Sequence, residues 1–170
     1  VKNARAEHLH AVLDKLEECG CRIIVQKGGG IRCIGPERPR ELHLVETCPY
    51  PGFPTDMQAM FMALCSIADG TSVIFENVFD SRFKIAAELA CMGASITVKG
   101  RMAIVRGVEK LNGANVNSCD LRAGAALVIA GLRANGVTTV SNAQVIDRGY
   151  ESIEKSLAQL GANIIRVSGD

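Results

Sequence analysis

The chain has 170 residues, a net charge of +1, 48% apolar and 4% aromatic residues. That is enough apolar material for one real core. The near-zero charge excludes a bulk electrostatic grip on nucleic acid or an anionic membrane, and the scarce aromatics exclude base-stacking platforms.

The strictly apolar stretch 123–132 is too short to span a bilayer. No basic-apolar leader opens the sequence, so the expectation is a cytoplasmic protein. Seven cysteines (19, 21, 33, 48, 65, 91 and 119) are irregularly spaced, with no C-x-x-C. They read as free buried thiols of a reducing compartment. His8 and His10 do not share a helix face and no cysteine pair completes a set, so neither metal nor cofactor is expected.

In chain order, residues 4–19 read as an amphipathic helix with Leu9, Val12, Leu13 and Leu16 on one face, ended by Gly20. Strands follow at 21–26 and 31–34. The glycines 28–30 between them lack the G-K-[S/T] of a phosphate loop and read as a hairpin turn. Residues 41–47 alternate, with Leu42 and Leu44 inward, as a half-buried strand.

The run Pro51-Gly52-Phe53-Pro54 then holds the chain out of regular structure. Thr55 and Gln58 have the spacing of a capping box opening an apolar helix over 57–68. Asp56 falls in its first turn, where exposed N–H groups favour a carboxylate. Such a rigid approach either presents a reactive acid or simply starts a helix. Next come a strand at 71–79, a helix at 82–92 capped by Gly93, and a hairpin of 94–99 with 102–106. A short strand at 114–118, a helix at 120–135, a strand at 137–145, a helix at 149–160 and a strand at 162–167 complete the series.

This order repeats. Leu16-x-x-x-Gly20-Cys21-x-Ile23 resembles Leu89-x-x-x-Gly93-Ala94-x-Ile96, and Leu157-x-x-Leu160-Gly161-Ala162 ends alike with a tighter cap. Asp56 pairs with Asp120, Gly70 with Gly136, Asn77 with Asn142 and Arg82 with Arg148, at spacings of about 65 residues. The unit is β-α-β-α-β-β. Residues 41–108 hold it whole, 1–35 only its second half, and 114–170 lack its last strand. A C-terminal piece of a longer protein is therefore expected. The helices 57–68 and 121–134 are apolar nearly all round and should be buried on every side. Helices at the centre with sheets outside fit this. A doubly wound sheet does not, because its strands would be continuous apolar runs.

Arg82, Arg122 and Arg148 each follow an aspartate near a helix start. A guanidinium gains nothing from that end of a helix. It marks either an anionic ligand or a local Asp–Arg pair. Asp56 and Asp120 are either N-caps or an acid/base pair.

The strings Cys48-Pro49-Tyr50-Pro51-Gly52-Phe53-Pro54-Thr55-Asp56-Met57-Gln58, Arg82-Phe83, Asp120-Leu121-Arg122-Ala123 and Ile146-Asp147-Arg148-Gly149-Tyr150 closely resemble the C-terminal part of the UDP-N-acetylglucosamine enolpyruvyl transferase family, and the resemblance covers essentially the whole chain. It implies a domain of a two-domain enzyme, an inverted α/β barrel of β-α-β-α-β-β units with helices inside. The implied reaction moves the enolpyruvyl group of phosphoenolpyruvate to the 3-hydroxyl of UDP-N-acetylglucosamine, releasing phosphate, in peptidoglycan synthesis. The resemblance makes Asp56 the general base and sugar-hydroxyl ligand, Val78 a backbone contact to the UDP-sugar, Asp120 a second acid, Arg148 the phosphoenolpyruvate clamp, and Arg82 and Arg122 further active-site arginines. The family's cysteine loop and Lys-Asn pair belong to the other domain and match nothing here. Cys119, beside Asp120, reads as a buried strand-end thiol instead. The expectations are an inactive fragment with an unpaired strand edge that favours self-association. The alternatives are a 5-enolpyruvylshikimate-3-phosphate synthase type of transferase or a non-catalytic binding module of the same fold.

Overall fold

A computed structural model describes residues 1–167. Helix α1 (His10–Glu18) leads into the antiparallel hairpin β1 (Arg22–Val25) and β2 (Ile31–Ile34). Strand β3 (Val45–Glu46), helix α2 (Gln58–Cys65), β4 (Thr71–Phe75), α3 (Ile85–Cys91), β5 (Ser95–Lys99) and β6 (Met102–Arg106) form one complete β-α-β-α-β-β run. Its sheet has the order β3-β4-β6-β5, with β3 parallel to β4 and the other pairs antiparallel. Strand β7 (Asn115–Asn117), α4 (Leu121–Arg133), β8 (Thr139–Ser141) and α5 (Ile153–Ala158) start the run again, β7 lying parallel to β8.

The expected arrangement of helices inside and sheets outside follows from which helices lack a polar face. Helix α2 buries seven of its eight residues. Helix α4 buries Ala123 to Val128 and Ala130 against it. Phe61, Met62 and Leu127 are nearly or fully enclosed, and each such side chain contributes about 1.5–3 kcal/mol by leaving water. The two helices are parallel neighbours. Asp56, just before α2, meets Arg122 in the first turn of α4. At the other end Leu64 and Ile67 share a groove with Ile129 and Arg133.

Three helices end in the same way. The N–H groups of Gly93 and Ala94 bond to the carbonyls of Ala90 and Leu89, and Gly20–Cys21 and Gly161–Ala162 repeat this on Glu17 and Leu16 and on Ala158 and Leu157. These are Schellman caps, with the glycine left-handed, at φ +91° for Gly93. The third cap is therefore no tighter than the others, since Leu157 rather than Leu160 stands in the place of Leu89.

Several elements depart from the sequence pattern. The strand expected over 41–47 is reduced to β3, and Leu44 faces solvent while Leu42 and Val45 are buried. The Ser72 hydroxyl accepts the N–H of Leu42, which breaks the alternation at residues 43–44. Strand β4 stops at Phe75, because the carboxylate of Glu76 captures the N–H groups of Val78 and Phe79. Strand β8 stops at Ser141, because the next residue, Asn142, is left-handed at φ 58°. Helix 4–19 is a 3-10 turn (Ala6–His8) followed by α1, with Leu9 exposed between them.

Residues 162–167 form no strand. In the run from β3 to β6, β5 reaches its sheet only through β6, and the run that starts again at β7 shows no counterpart of β6 among the described residues, so this segment has no ladder to join there. Ile165 and Val167 are exposed there. Residues 168–170 of that unit lie outside the described residues. Among the described residues, no helix is long and apolar enough to cross a membrane.

Candidate functional site

Both α2 and α4 open at the same end of the molecule, and the acids of the sequence pattern meet there. Asp120 is the N-cap of α4, its Oδ1 accepting from the backbone N–H groups of Arg122 and Ala123 at 2.9 Å each. Asp56 lies in the 3-10 turn Thr55–Met57 that leads into α2. Its largely exposed carboxylate accepts from Nε of Arg122. One guanidinium therefore links the mouths of the two helices.

The loop before Asp56 is fixed from both sides. Phe53 packs edge-on to Phe61 of α2, ring centres 4.8 Å apart. The Cys48 N–H donates to the Phe53 carbonyl at 2.9 Å. The expected capping box does not form. The Thr55 hydroxyl instead donates to Oε2 of Glu76 at 2.9 Å, a charged acceptor that outcompetes a backbone cap. The Gln58 side chain is buried, and among the described residues neither its amide nitrogen nor its oxygen has a hydrogen-bond partner.

None of the three sequence-adjacent Asp–Arg pairs forms as an ion pair among the described residues. Asp80 pairs with Arg101, Asp120 caps α4, and Asp147 takes a bidentate pair from Arg166 at 2.9 and 2.8 Å. The neighbouring arginines are thereby left to other uses. Arg122 reaches Asp56. Arg82, in the 3-10 turn that opens α3, lies 4.3 Å over the ring of Phe79. Arg148 ends the 3-10 helix Ala143–Arg148, four residues ahead of the Ser152 that precedes α5, and is exposed. Its loop lies against α4: a side chain on Gly149 would come within 2.9 Å of Leu121. Among the described residues Arg82 and Arg148 form no hydrogen bond or ion pair with Asp56, Asp120 or Arg122. Val78 has its N–H taken by Glu76, which leaves its carbonyl as the backbone group open to a ligand.

Sequence reasoning missed two residues here. Tyr150 is half-buried, and its phenol is pushed up by burial, opposed by the Arg122 guanidinium and reinforced by the Asp56 carboxylate, which places it beside that pair. Its place in the Asp-Arg-Gly-Tyr string was the available signal. Glu76 is the other, and its position at a strand end gave no signal.

All seven cysteines are free, but only Cys19 and Cys65 are buried; Cys33, Cys91 and Cys119 are exposed, which corrects the reading of Cys119 as buried. Partial burial and the Asp120 carboxylate raise the Cys119 thiol, so little nucleophilic thiolate forms there. Burial pushes Cys65 up to about 11. An alkylating reagent at neutral pH is expected to reach the exposed Cys33, Cys91 and Cys119, slowly at Cys33 and Cys119 where the thiol is raised, while Cys65 reacts only on unfolding, as read by peptide mass spectrometry. The unfolded thiol ionises near its ordinary 9.0 and the native one near 11, so the contribution of Cys65 to stability is intact below about 9 and falls as pH rises from there towards 11.

The family model described as EPSP synthase (3-phosphoshikimate 1-carboxyvinyltransferase) matches residues 1–157. The chain is 52% identical over 167 residues to a UDP-N-acetylglucosamine 1-carboxyvinyltransferase of Geobacter metallireducens, covering 98% of this chain and 40% of that protein. It is 50% identical over 171 residues to a protein of the same name from Desulfofundulus thermocisternus, covering all of this chain and 69% of the other. The solved enolpyruvyl transferase NikO from Streptomyces tendae superposes with a TM-score of 0.82 at 29% identity, over 95% of this chain and 37% of NikO. The chain thus spans about 40% of the length of the first curated relatives it matches.

Proposed function

Because the chain belongs to the EPSP synthase family, we propose that it supplies part of the active site of an enzyme that transfers the enolpyruvyl group of phosphoenolpyruvate to the 3-hydroxyl of UDP-N-acetylglucosamine. The observation that carries this reading is the meeting of Asp56, Asp120 and Arg122 at the shared mouth of α2 and α4. The names of the relatives at 50–52% identity favour UDP-N-acetylglucosamine as acceptor.

A secondary alcohol must lose its proton as its oxygen adds to C2 of phosphoenolpyruvate and C3 takes up a proton; a C3 proton is then given back as the bond from C2 to the phosphate oxygen breaks and the double bond re-forms. Asp56 is the base: it is exposed, held on a rigid turn, and within reach of a ligand over the helix mouths. Asp120 is the second acid. Arg148, exposed on the loop beside α4, clamps the phosphate or carboxylate of phosphoenolpyruvate, with Arg82 and Arg122 as further cations for the same anions. The Val78 carbonyl accepts from the sugar nucleotide.

In this reading residues 1–35, 41–108 and 114–170 are units of one C-terminal domain, and an N-terminal domain of the same enzyme brings the cysteine loop and the rest of the sugar site. The test is phosphate release from phosphoenolpyruvate and UDP-N-acetylglucosamine. Turnover is expected from the full-length enzyme carrying this segment and none from the 170-residue chain alone. Turnover with shikimate 3-phosphate instead would move the reading to the related synthase. Turnover by the isolated chain would overturn the two-domain site. Light scattering of the isolated chain is expected to show a mass that rises with concentration, because the exposed apolar segment 162–167 and the short sheet of β7 and β8 offer edges for pairing. A strictly monomeric mass would refute that.

A further inference from the structure

Among the described residues, the buried acid with the most hydrogen bonds lies outside the set of residues assigned to the chemistry. Glu76 is 1% exposed. Its Oε1 accepts from the Thr47 hydroxyl at 2.8 Å, the Val78 N–H at 2.9 Å and the Phe79 N–H at 3.1 Å. Its Oε2 accepts from the Thr55 hydroxyl at 2.9 Å. Thr47 in turn accepts the N–H of Asn77 at 2.9 Å. One carboxylate thus gathers the end of β3, the turn that carries Asp56 and the segment that carries Val78.

The sister unit shows that the fold itself does not require this. The Thr47 N–H bonds to the Phe75 carbonyl next to Glu76, and the Ser118 N–H bonds to the Ser141 carbonyl next to Asn142. Glu76, rather than Asn77, therefore stands where Asn142 stands 66 residues later. Asn142 is an exposed amide that donates to the Ser118 carbonyl at 3.0 Å and accepts from Gln144 at 2.6 Å. A neutral surface side chain closes the same corner there. Burying a carboxylate instead carries a desolvation cost that its hydrogen bonds must offset. What the first corner holds and the second does not is the long loop 48–55 that leads to Asp56; in the second, Asp120 follows Ser118 after a single residue.

We propose that Glu76 is a positioning residue, whose carboxylate sets the separation between the Asp56 acid and the Val78 backbone and so couples proton removal to sugar binding in one rigid corner. This rests on the roles of Asp56 and Val78 given above. The two arms of the carboxylate predict different kinetic consequences. Thr55 holds the acid, so its loss displaces the reacting group; Thr47 holds the segment 77–79, so its loss displaces the sugar contact.

The test uses the full-length enzyme and two conservative pairs, with melting temperatures recorded alongside. Thr55→Val is expected to lower kcat by about tenfold or more, since misplacement of a reacting group by a fraction of an ångström is costly, and Thr55→Ser to restore it. Thr47→Val is expected to raise KM for UDP-N-acetylglucosamine more than it lowers kcat, and Thr47→Ser to restore it. If both valine variants lower the melting temperature and leave kcat and KM at wild-type values, Glu76 serves stability alone and the proposal is overturned. A wild-type enzyme with no turnover would defeat the functional reading beneath it, and the proposal with it. Normal wild-type turnover with kinetically silent variants would defeat the proposal only.

Discussion

Asp56→Asn in the full-length enzyme is expected to lower kcat by about 10²- to 10⁴-fold, the range associated with loss of a positioned general base. The substitution keeps size and shape, so the turn at 55–57 and the edge-on packing of Phe53 on Phe61 should persist. An amide can still hydrogen-bond the sugar hydroxyl, so KM should move much less than kcat. The proton then has no acceptor at the moment of attack, which is where the loss falls. Stability should scarcely change. The Asp56–Arg122 pair is largely solvent-exposed on the acid side, and such pairs contribute about 0–1 kcal/mol. Steady-state kinetics with a melting curve of the same protein separate the two effects. A rate within threefold or so of wild type, a change of under ~1 kcal/mol in barrier, would remove Asp56 from the chemistry.

Gly107→Ala is expected to abolish the cooperative fold. Gly107 follows β6 where it passes the chain leaving α2. A side-chain carbon there would lie 1.7 Å from the Ala68 carbonyl oxygen, 2.7 Å from its carbon and 2.9 Å from its nitrogen. All three are main-chain atoms, so no rotamer change relieves the overlap. The backbone is also pinned on each side, with the Gly107 N–H on the Gly70 carbonyl and the Val108 N–H on the Ser66 carbonyl. Separating the strands would break those bonds and open the core at Ala68 and Val105, both buried. A loss above about 4 kcal/mol falls in the rare upper tail of single substitutions and is a large part of the ~5–15 kcal/mol that holds a domain folded. Gly100→Ala is the control: nothing lies within 4 Å of the new carbon, and the left-handed φ of +59° is the only strain. Its cost should be about 1 kcal/mol. Urea unfolding followed by circular dichroism would distinguish the pair, and a Gly107→Ala protein as stable as the control would contradict the close approach.

The buried helices and their ends were legible in the sequence for a local reason. A helix apolar on every face, such as α2, has nowhere to go but inside, and a leucine four residues before a left-handed glycine writes a Schellman cap within six residues. The acids Asp56 and Asp120 were legible because both sit at helix starts. What failed to show was set by partners far away in the chain. Thr55 looks like a cap until the carboxylate of Glu76, 21 residues on, takes its hydroxyl. Leu44 looks inward until Ser72 shifts the register of its neighbour. Each aspartate before an arginine looks paired with it, yet Asp80 finds Arg101, 21 residues away, and Arg122 finds Asp56, 66 residues away. Long-range competition for a hydrogen-bonding group leaves no periodic trace.

The parallel run of α2 and α4 sets the charge balance where the two helices open. Two like dipoles side by side repel, but half charges about 10 Å apart at an effective dielectric of about 20 cost only about 0.4 kcal/mol. The buried seam between the helices outweighs that easily. Each positive end already faces a carboxylate of its own, Asp120 on α4 and Asp56 on α2, and Arg122 sits between them. The shared mouth of the two helices is therefore self-neutralised rather than a positive trap. A polyanion arriving there gains little from the helix ends, which are spoken for, and would have to share Arg122 with Asp56. Affinity for an anion and alignment of the acid then meet at that one guanidinium, and only cations farther from Asp56 could tune the first without disturbing the second.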